Sequence, residues 1–159
     1  MERIDVLAIR FRKAMDTAWE KGELRSITPF HQFPKECCDL TCDLLGQYLA
    51  ENGFITHQIN AAHKHDWQRR HVWLVDEYGT VIDITGDQFA GILLPEKDVD
   101  MVYVGPEGPL QKIFCKDRKP EGNTNFTDPN QFNPLTGRPN KRQQTLIDVN
   151  RIVRHYLEK

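Results

Sequence analysis

Long apolar runs are missing from this sequence. Its first 24 residues, MERIDVLAIRFRKAMDTAWEKGEL, alternate charged with apolar side chains and never bring seven apolar residues together. That leaves this stretch without the hydrophobic core of a signal peptide and without a membrane span, so a cytoplasmic protein with no membrane partner is the expectation. An excess of one charge sign is missing too: 21 Lys and Arg stand against 23 Asp and Glu, a net charge of −2. With the basic residues scattered among acids, no field gathers a polyanion, and no nucleic-acid partner is expected. Cysteine is scarce. Cys37, Cys38 and Cys42 are bunched and Cys115 stands apart, too few and too close for a disulfide framework in a chain long enough to build a core, so reduced thiols are expected. Gly46, Gly53 and Gly86 are isolated, with no glycine-rich loop to cradle a phosphate, and no cofactor is expected.

What is present suits one domain over residues 1–159, since 159 residues at 39% hydrophobic can bury a single core. Ile4, Leu7, Phe11, Met15, Ala18 and Trp19 recur at three- and four-residue steps, which predicts a helix ending near Gly22. The stretch 26–34, with Pro29 and Pro34 and no periodicity, reads as an extended connector. Over 35–52 the apolar set Cys38, Cys42, Leu45 and Leu49 again has helical spacing, and Gly53 sits where a left-handed cap belongs, so this is the expected central helix. Strand-like runs follow at 54–60, 71–75, 80–85 and 101–104, and 110–114 reads as one more. The charged stretch 61–70 reads as a loop. Residues 116–140 hold four prolines, two glycines and five asparagines with almost no aliphatic side chains, the composition of a long loop. Leu146, Val149, Ile152, Val153, Tyr156 and Leu157 restore a helical stripe at the end. No internal repeat is visible, and the order of elements is α+β, with antiparallel strands between helices.

The candidate chemistry lies in three residues. A thiol becomes a nucleophile when its thiolate is favoured, and a helix N-terminus and a neighbouring imidazolium both favour it. Cys38 stands in the first turn of the predicted central helix; Glu36 and Asp39 work against its charge, so a histidine has to dominate. His63 and His65 fall in the charged stretch, whereas His71 opens a strand that would hold its ring still. Register then tests Asp83 as its partner. If Glu77-Tyr78-Gly79 is a three-residue turn with glycine left-handed, Asp76 pairs with Thr80, and His71 and Asp83 share a face as diagonal neighbours. A two- or four-residue turn would send them to opposite faces. In the first register Asp83 can hold one ring nitrogen while the other points at Cys38. Taken singly, each residue has a plainer role: Cys38 a small buried hydrophobe, His71 a structural ring, Asp83 a turn cap. Zinc is the sharper rival, because Cys37, Cys38, Cys42, His63, His65 and His71 offer thiolates and imidazoles. Adjacent Cys37 and Cys38 lack the gaps that structural zinc sites favour, and no metal is expected.

These pieces resemble a family. Cys38, Cys42, Leu44-Leu45 and Gly53, then His71-Val72-Trp73 on one strand and Ile82-Asp83-Ile84-Thr85 on the next, look like the core of transglutaminase-like cysteine enzymes. The resemblance covers residues 33–89. Phe33-Pro34 and Asp83-Ile84-Thr85-Gly86-Asp87-Gln88-Phe89 are similar to a group of small bacterial proteins of that superfamily. It implies a papain-related α+β fold with Cys38 as nucleophile, His71 as base and Asp83 as its orienter. It also suggests Gln32, six residues before Cys38, as an oxyanion donor. Glu36-Cys37 departs from the small residues that often precede the nucleophile, and the His-to-Asp spacing is short. The expected activity is a cysteine-dependent amide hydrolase or acyl transferase acting on a protein, peptide or small amide through a thioester. The alternative is a binding or immunity-type module that keeps the fold while Cys38 only packs.

Overall fold

Three stripes of apolar side chains each become a helix in the structure, a computed structural model that describes residues 2–157. Helix α1, Ile4–Glu20, turns Leu7, Ala8, Phe11, Met15 and Ala18 inward. Helix α2, Cys38–Glu51, buries Leu44, Leu45 and Leu49 and is closed by Gly53 at φ 90°, a left-handed conformation that suits glycine. The last helix, α4 (Lys141–Leu157), contributes Leu146, Val149 and Val153 to the same core. Among the described residues no helix is long and apolar enough to cross a membrane.

Between them lies an antiparallel sheet of β1 (Thr56–His63), β2 (Asp66–Asp76), β3 (Val81–Asp83), β4 (Tyr103–Gly105) and β5 (Lys116–Glu121), in the order β4-β3-β2-β1-β5. Period-two alternation divides its side chains. Val72, Leu74 and Ile82 join the core made with the helices. Ala61, Trp73 and Val81 face a second, smaller cluster with Phe89, Leu110 and Phe114. The protein is therefore α+β, with sheet and helices sharing one main core.

The β2–β3 hairpin has the register that brings His71 and Asp83 to one face. Leu74 pairs with Ile82 and Val75 with Val81, and the Asp76 N–H donates to the Thr80 carbonyl. The turn is Glu77-Tyr78-Gly79, with Gly79 at φ 84° and the Asp76 carboxylate accepting from the N–H groups of Tyr78 and Thr80.

Three expectations are corrected. Residues 110–114 are not a strand: Pro109–Ile113 forms a short helix, α3. Pro109 presets the first helical φ, and Gln111 accepts from the Gly108 N–H across that first turn. The charged stretch 61–70 is not a loop but the end of β1 and the start of β2. The long loop 116–140 begins with β5, an edge strand paired to β1, every residue of which is exposed. A strand that buries no face leaves no alternation to read, and Pro120 is tolerated because the strand is at the edge. Beyond β5 the stretch is irregular apart from a single 3-10 turn at Pro129–Gln131.

That irregular stretch is tied down. Buried Asp43 of α2 accepts from the Thr124 N–H at 2.6 Å, from Gln58 Nε2 at 2.6 Å and from Arg142 of α4 at 2.8 Å. Asn123 lies so close to α2 that a Cβ on Gly46 would stand 2.5 Å from its Nδ2, so a larger residue at 46 would have to push that carboxamide aside. A second clamp holds the segment after β3. Arg12 of α1, itself buried, makes paired 2.8 Å bonds to both Asp87 oxygens, donates to the Ile84 carbonyl at 2.7 Å and to Asp16 at 3.0 Å. A buried guanidinium is tolerable only when its N–H groups are satisfied in this way, and here the satisfaction fixes the chain leaving Asp83.

Candidate active site

Cys38 is the first residue of α2, with Cys37 at the N-cap accepting from the Thr41 N–H at 2.9 Å. The N–H groups of a helix's opening turn have no acceptor within the helix and carry its positive end, which favours a thiolate there. Glu36, two residues earlier, has a positive φ of 64°, an uncommon backbone for a residue with a side chain. Such outliers cluster at functional sites. Cys37 then falls into the core while Cys38 is half-buried and lines a cleft of about 480 Å³ with Glu36, Asp66, Gln68, Arg69, Arg70 and Gln88.

His71 is fully buried on β2. Its ring is held among Trp73, Phe89 and Phe114 at centroid distances of 5.6, 5.1 and 5.4 Å. Its Nε2 meets Asp83 Oδ2 at 2.7 Å. The other ring nitrogen, Nδ1, is buried and has no hydrogen-bond partner. The Cys38 thiol lies near enough to the ring to act on its charge. Burial opposes charging this ring, but the charge and hydrogen bond of Asp83, with a further push from Cys38, raise His71 to about 10.

Asp83 is as buried as its partner, which would normally drive a carboxyl toward its neutral form. Instead His71, Gln111 and the Thr85 N–H together hold it below the usual carboxylate range. Gln111 Nε2 donates to Asp83 Oδ2 at 2.9 Å, and the Thr85 N–H donates to Oδ1 at 3.2 Å. Helix α3 presses so closely on this carboxylate that a Cβ on Gly86 would stand 2.8 Å from Leu110 and 3.3 Å from Asp83 Oδ2.

Cys38, His71 and Asp83 are thus brought together from a helix end and two paired strands. Gln32 is exposed at the end of the 3-10 turn Phe30–Gln32, whose Phe30 is buried, and the carboxamide that lines the cleft with Cys38 is that of Gln88. The remaining thiols are elsewhere. Burial pushes Cys37 up to about 12 and Cys42 well above the ordinary thiol range, and Cys115 is exposed beyond α3. Among the described residues, no three Cys, His, Asp or Glu side chains are grouped as a metal ion would need. Gln111 and Gln88 were missed from sequence. Gln88 lies inside the run 83–89 and its nearness to Asp83 is a signal that composition alone does not weigh; Gln111 is 28 positions from the residue it touches and carries no signal at all.

No family model, no curated protein and no solved structure matches the chain. Its chemistry has to be read from these side chains themselves.

Proposed function

We propose that this protein is a cysteine-dependent amide hydrolase or acyl transferase with a papain-related, transglutaminase-like core, in which Cys38 is the nucleophile, His71 the base and Asp83 the residue that orients it. One observation carries the reading: the fully buried His71 ring is bonded through Nε2 to Asp83 at 2.7 Å, while Nδ1, without a partner, is the nitrogen left for the thiol at the head of α2. Buried ring nitrogens of structural histidines are as a rule hydrogen-bonded, and one left buried and unpaired costs stability, a cost that functional sites bear.

The steps follow from that geometry. His71 Nδ1 takes the proton from the Cys38 thiol, and Asp83 stabilises the imidazolium so formed. The thiolate forms a C–S bond to the amide carbon, and the carbonyl π electrons move to oxygen. The oxyanion meets the Cys38 backbone N–H at the positive end of α2. As the tetrahedral species collapses, the C–N bond breaks and the leaving amine takes the proton from Nδ1, leaving a thioester on Cys38. A water or a second amine, deprotonated by the same nitrogen, attacks the thioester and returns the thiol. Water gives hydrolysis or deamidation, an amine gives acyl transfer.

An activated ester tests this reading without knowledge of the natural substrate. With p-nitrophenyl acetate the intact protein is expected to gain one acetyl group, mapped to Cys38, with a burst of nitrophenolate equal to the enzyme concentration. Asp83→Asn is expected to lose the burst. Acetylation spread over lysines, or equally fast in that variant, would favour the binding-module reading.

A further inference from the structure

The three residues of the site leave one question of protonation open: which nitrogen of His71 carries the proton when the ring is neutral. Only a ring protonated on Nε2 and bare on Nδ1 can accept the Cys38 proton, and Asp83 enforces that tautomer only if its Oδ2 acts as an acceptor. A protonated carboxyl at that position would donate to Nε2 and turn the ring the wrong way. Something has to tell this buried carboxylate that it is an acceptor.

The geometry points to Gln111 as that residue, a positioning residue that fixes the His71 tautomer through Asp83; the assignment rests on the Cys–His–Asp reading above. Gln111 is buried, and its carboxamide has no freedom to turn over. The Gly108 N–H, which can only donate, sits 3.0 Å from Oε1, so the amide oxygen faces Gly108 and the NH2 group faces Asp83 Oδ2 at 2.9 Å. The α3 turn that carries it is secured at its other end by Arg118, whose guanidinium donates to the carbonyls of Gln111 at 2.9 Å and Phe114 at 2.8 Å. Asp83 therefore receives two fixed donors, the Gln111 NH2 at Oδ2 and the Thr85 N–H at Oδ1, and His71 Nε2 lies 2.7 Å from Oδ2. An oxygen set that already accepts these N–H groups has no role for a proton of its own, so the carboxylate stays anionic and Nε2 holds its proton toward Oδ2, which makes Nδ1 the nitrogen that exchanges a proton with the thiol. The hydrogen bonds run from the Gly108 N–H to Gln111 and from Gln111 to Asp83, where they meet the one donated by His71 Nε2.

The test compares iodoacetamide alkylation of Cys38 across pH 5 to 9 in the wild type, Gln111→Leu, Gln111→Glu and His71→Ala. Leucine fills the same volume without a donor; alkylation near pH 7 is expected to slow about tenfold, the worth of one charge-assisted hydrogen bond. Glutamate can donate to Asp83 only while protonated, so its rate should approach that of the wild type at pH 5 and fall toward that of leucine as it ionises. A side chain needed only for packing would give no such crossing. If His71→Ala removes the fast alkylation while both Gln111 variants keep the wild-type profile, Gln111 is no part of the site and the Cys–His pair stands. If His71→Ala changes nothing, the underlying reading fails with it. Should the Gln111 variants not fold, the wild type itself decides: the Nε2 proton of His71 is expected to show a nuclear Overhauser contact to the Gln111 carboxamide protons, and its absence would overturn the assignment.

Discussion

Asp83 and Asp43 are both buried acids, each with a side chain only 1% exposed, and each accepts at least three hydrogen bonds. They differ in where those bonds lead. From Asp43 they run to Gln58, which also donates to Asn123, to the backbone of Thr124, and to Arg142, which reaches the surface and bonds Asp39 as well. Every group in that chain is satisfied, and its effect is to bind the 122–126 stretch and α4 to α2. From Asp83 the bonds lead to an imidazole whose second nitrogen has no partner and whose neighbour is a thiol in a cleft. The electrostatics separate the two sites in the same way: burial raises Asp43 above the ordinary carboxylate range despite Arg142 and Thr124, whereas His71 and Gln111 keep Asp83 below it. A buried carboxylate is structural when its hydrogen bonds end in satisfied groups, and a candidate for chemistry when they end in an unsatisfied one.

Asp83→Asn should have the largest effect on the thiol. Loss of the charge that stabilises the imidazolium is expected to slow alkylation of Cys38 about a hundredfold at neutral pH, measured by mass spectrometry, while circular dichroism stays native. Asp43→Ala should do the converse. With Gln58 and the Thr124 N–H left without their acceptor, it is expected to lower unfolding stability in urea by about 2–3 kcal/mol and leave the Cys38 rate unchanged. The guanidinium of Arg142 is 41% exposed and turns to water, so its share of that loss is small.

The pH dependence of stability sharpens the contrast with a smaller effect. His71 is raised from 6.5 to about 10 on folding, so its contribution is complete below pH 6.5 and is lost as pH rises through 10. Asp83 is lowered, so its contribution is present above its unfolded value of 3.8 and is lost as pH falls through its folded one. Asp43, raised by burial, has the opposite sign and loses its contribution as pH rises through its folded value. Between pH 7 and 10 thermal unfolding should therefore show the wild type losing stability relative to His71→Gln, by at most about 1.4 kcal/mol per pH unit. Parallel curves would contradict the buried ion pair.

How much of this was legible in the chain depended on periodicity. The helices α1, α2 and α4 announce themselves by apolar residues three and four apart, because each buries one stripe. The hairpin register was readable from one glycine, since Gly79 selects a three-residue turn and the turn fixes which strand faces coincide. Segments that bury little had no such signature. β5 exposes every residue, and α3 has five residues, too few to repeat a pattern, so Leu110 and Ile113 looked like strand. Gln111 and the Asp43 network depend on contacts between residues far apart in sequence, which spacing does not encode. Gln32 was singled out by distance from Cys38 along the chain, whereas the cleft is lined in space, where Gln88 is found.

Whether His71 activates Cys38 is decided by site-mapped iodoacetamide alkylation of the native protein from pH 5 to 9, wild type beside His71→Ala. Cys38 is expected to label rapidly well below the reference thiol pKa of about 8.5, ahead of exposed Cys115, and the variant to lose this lead. Cys38 labelling no faster than Cys115, or equally fast without the imidazole, would contradict that activation and leave the thiol a packing residue of a binding module.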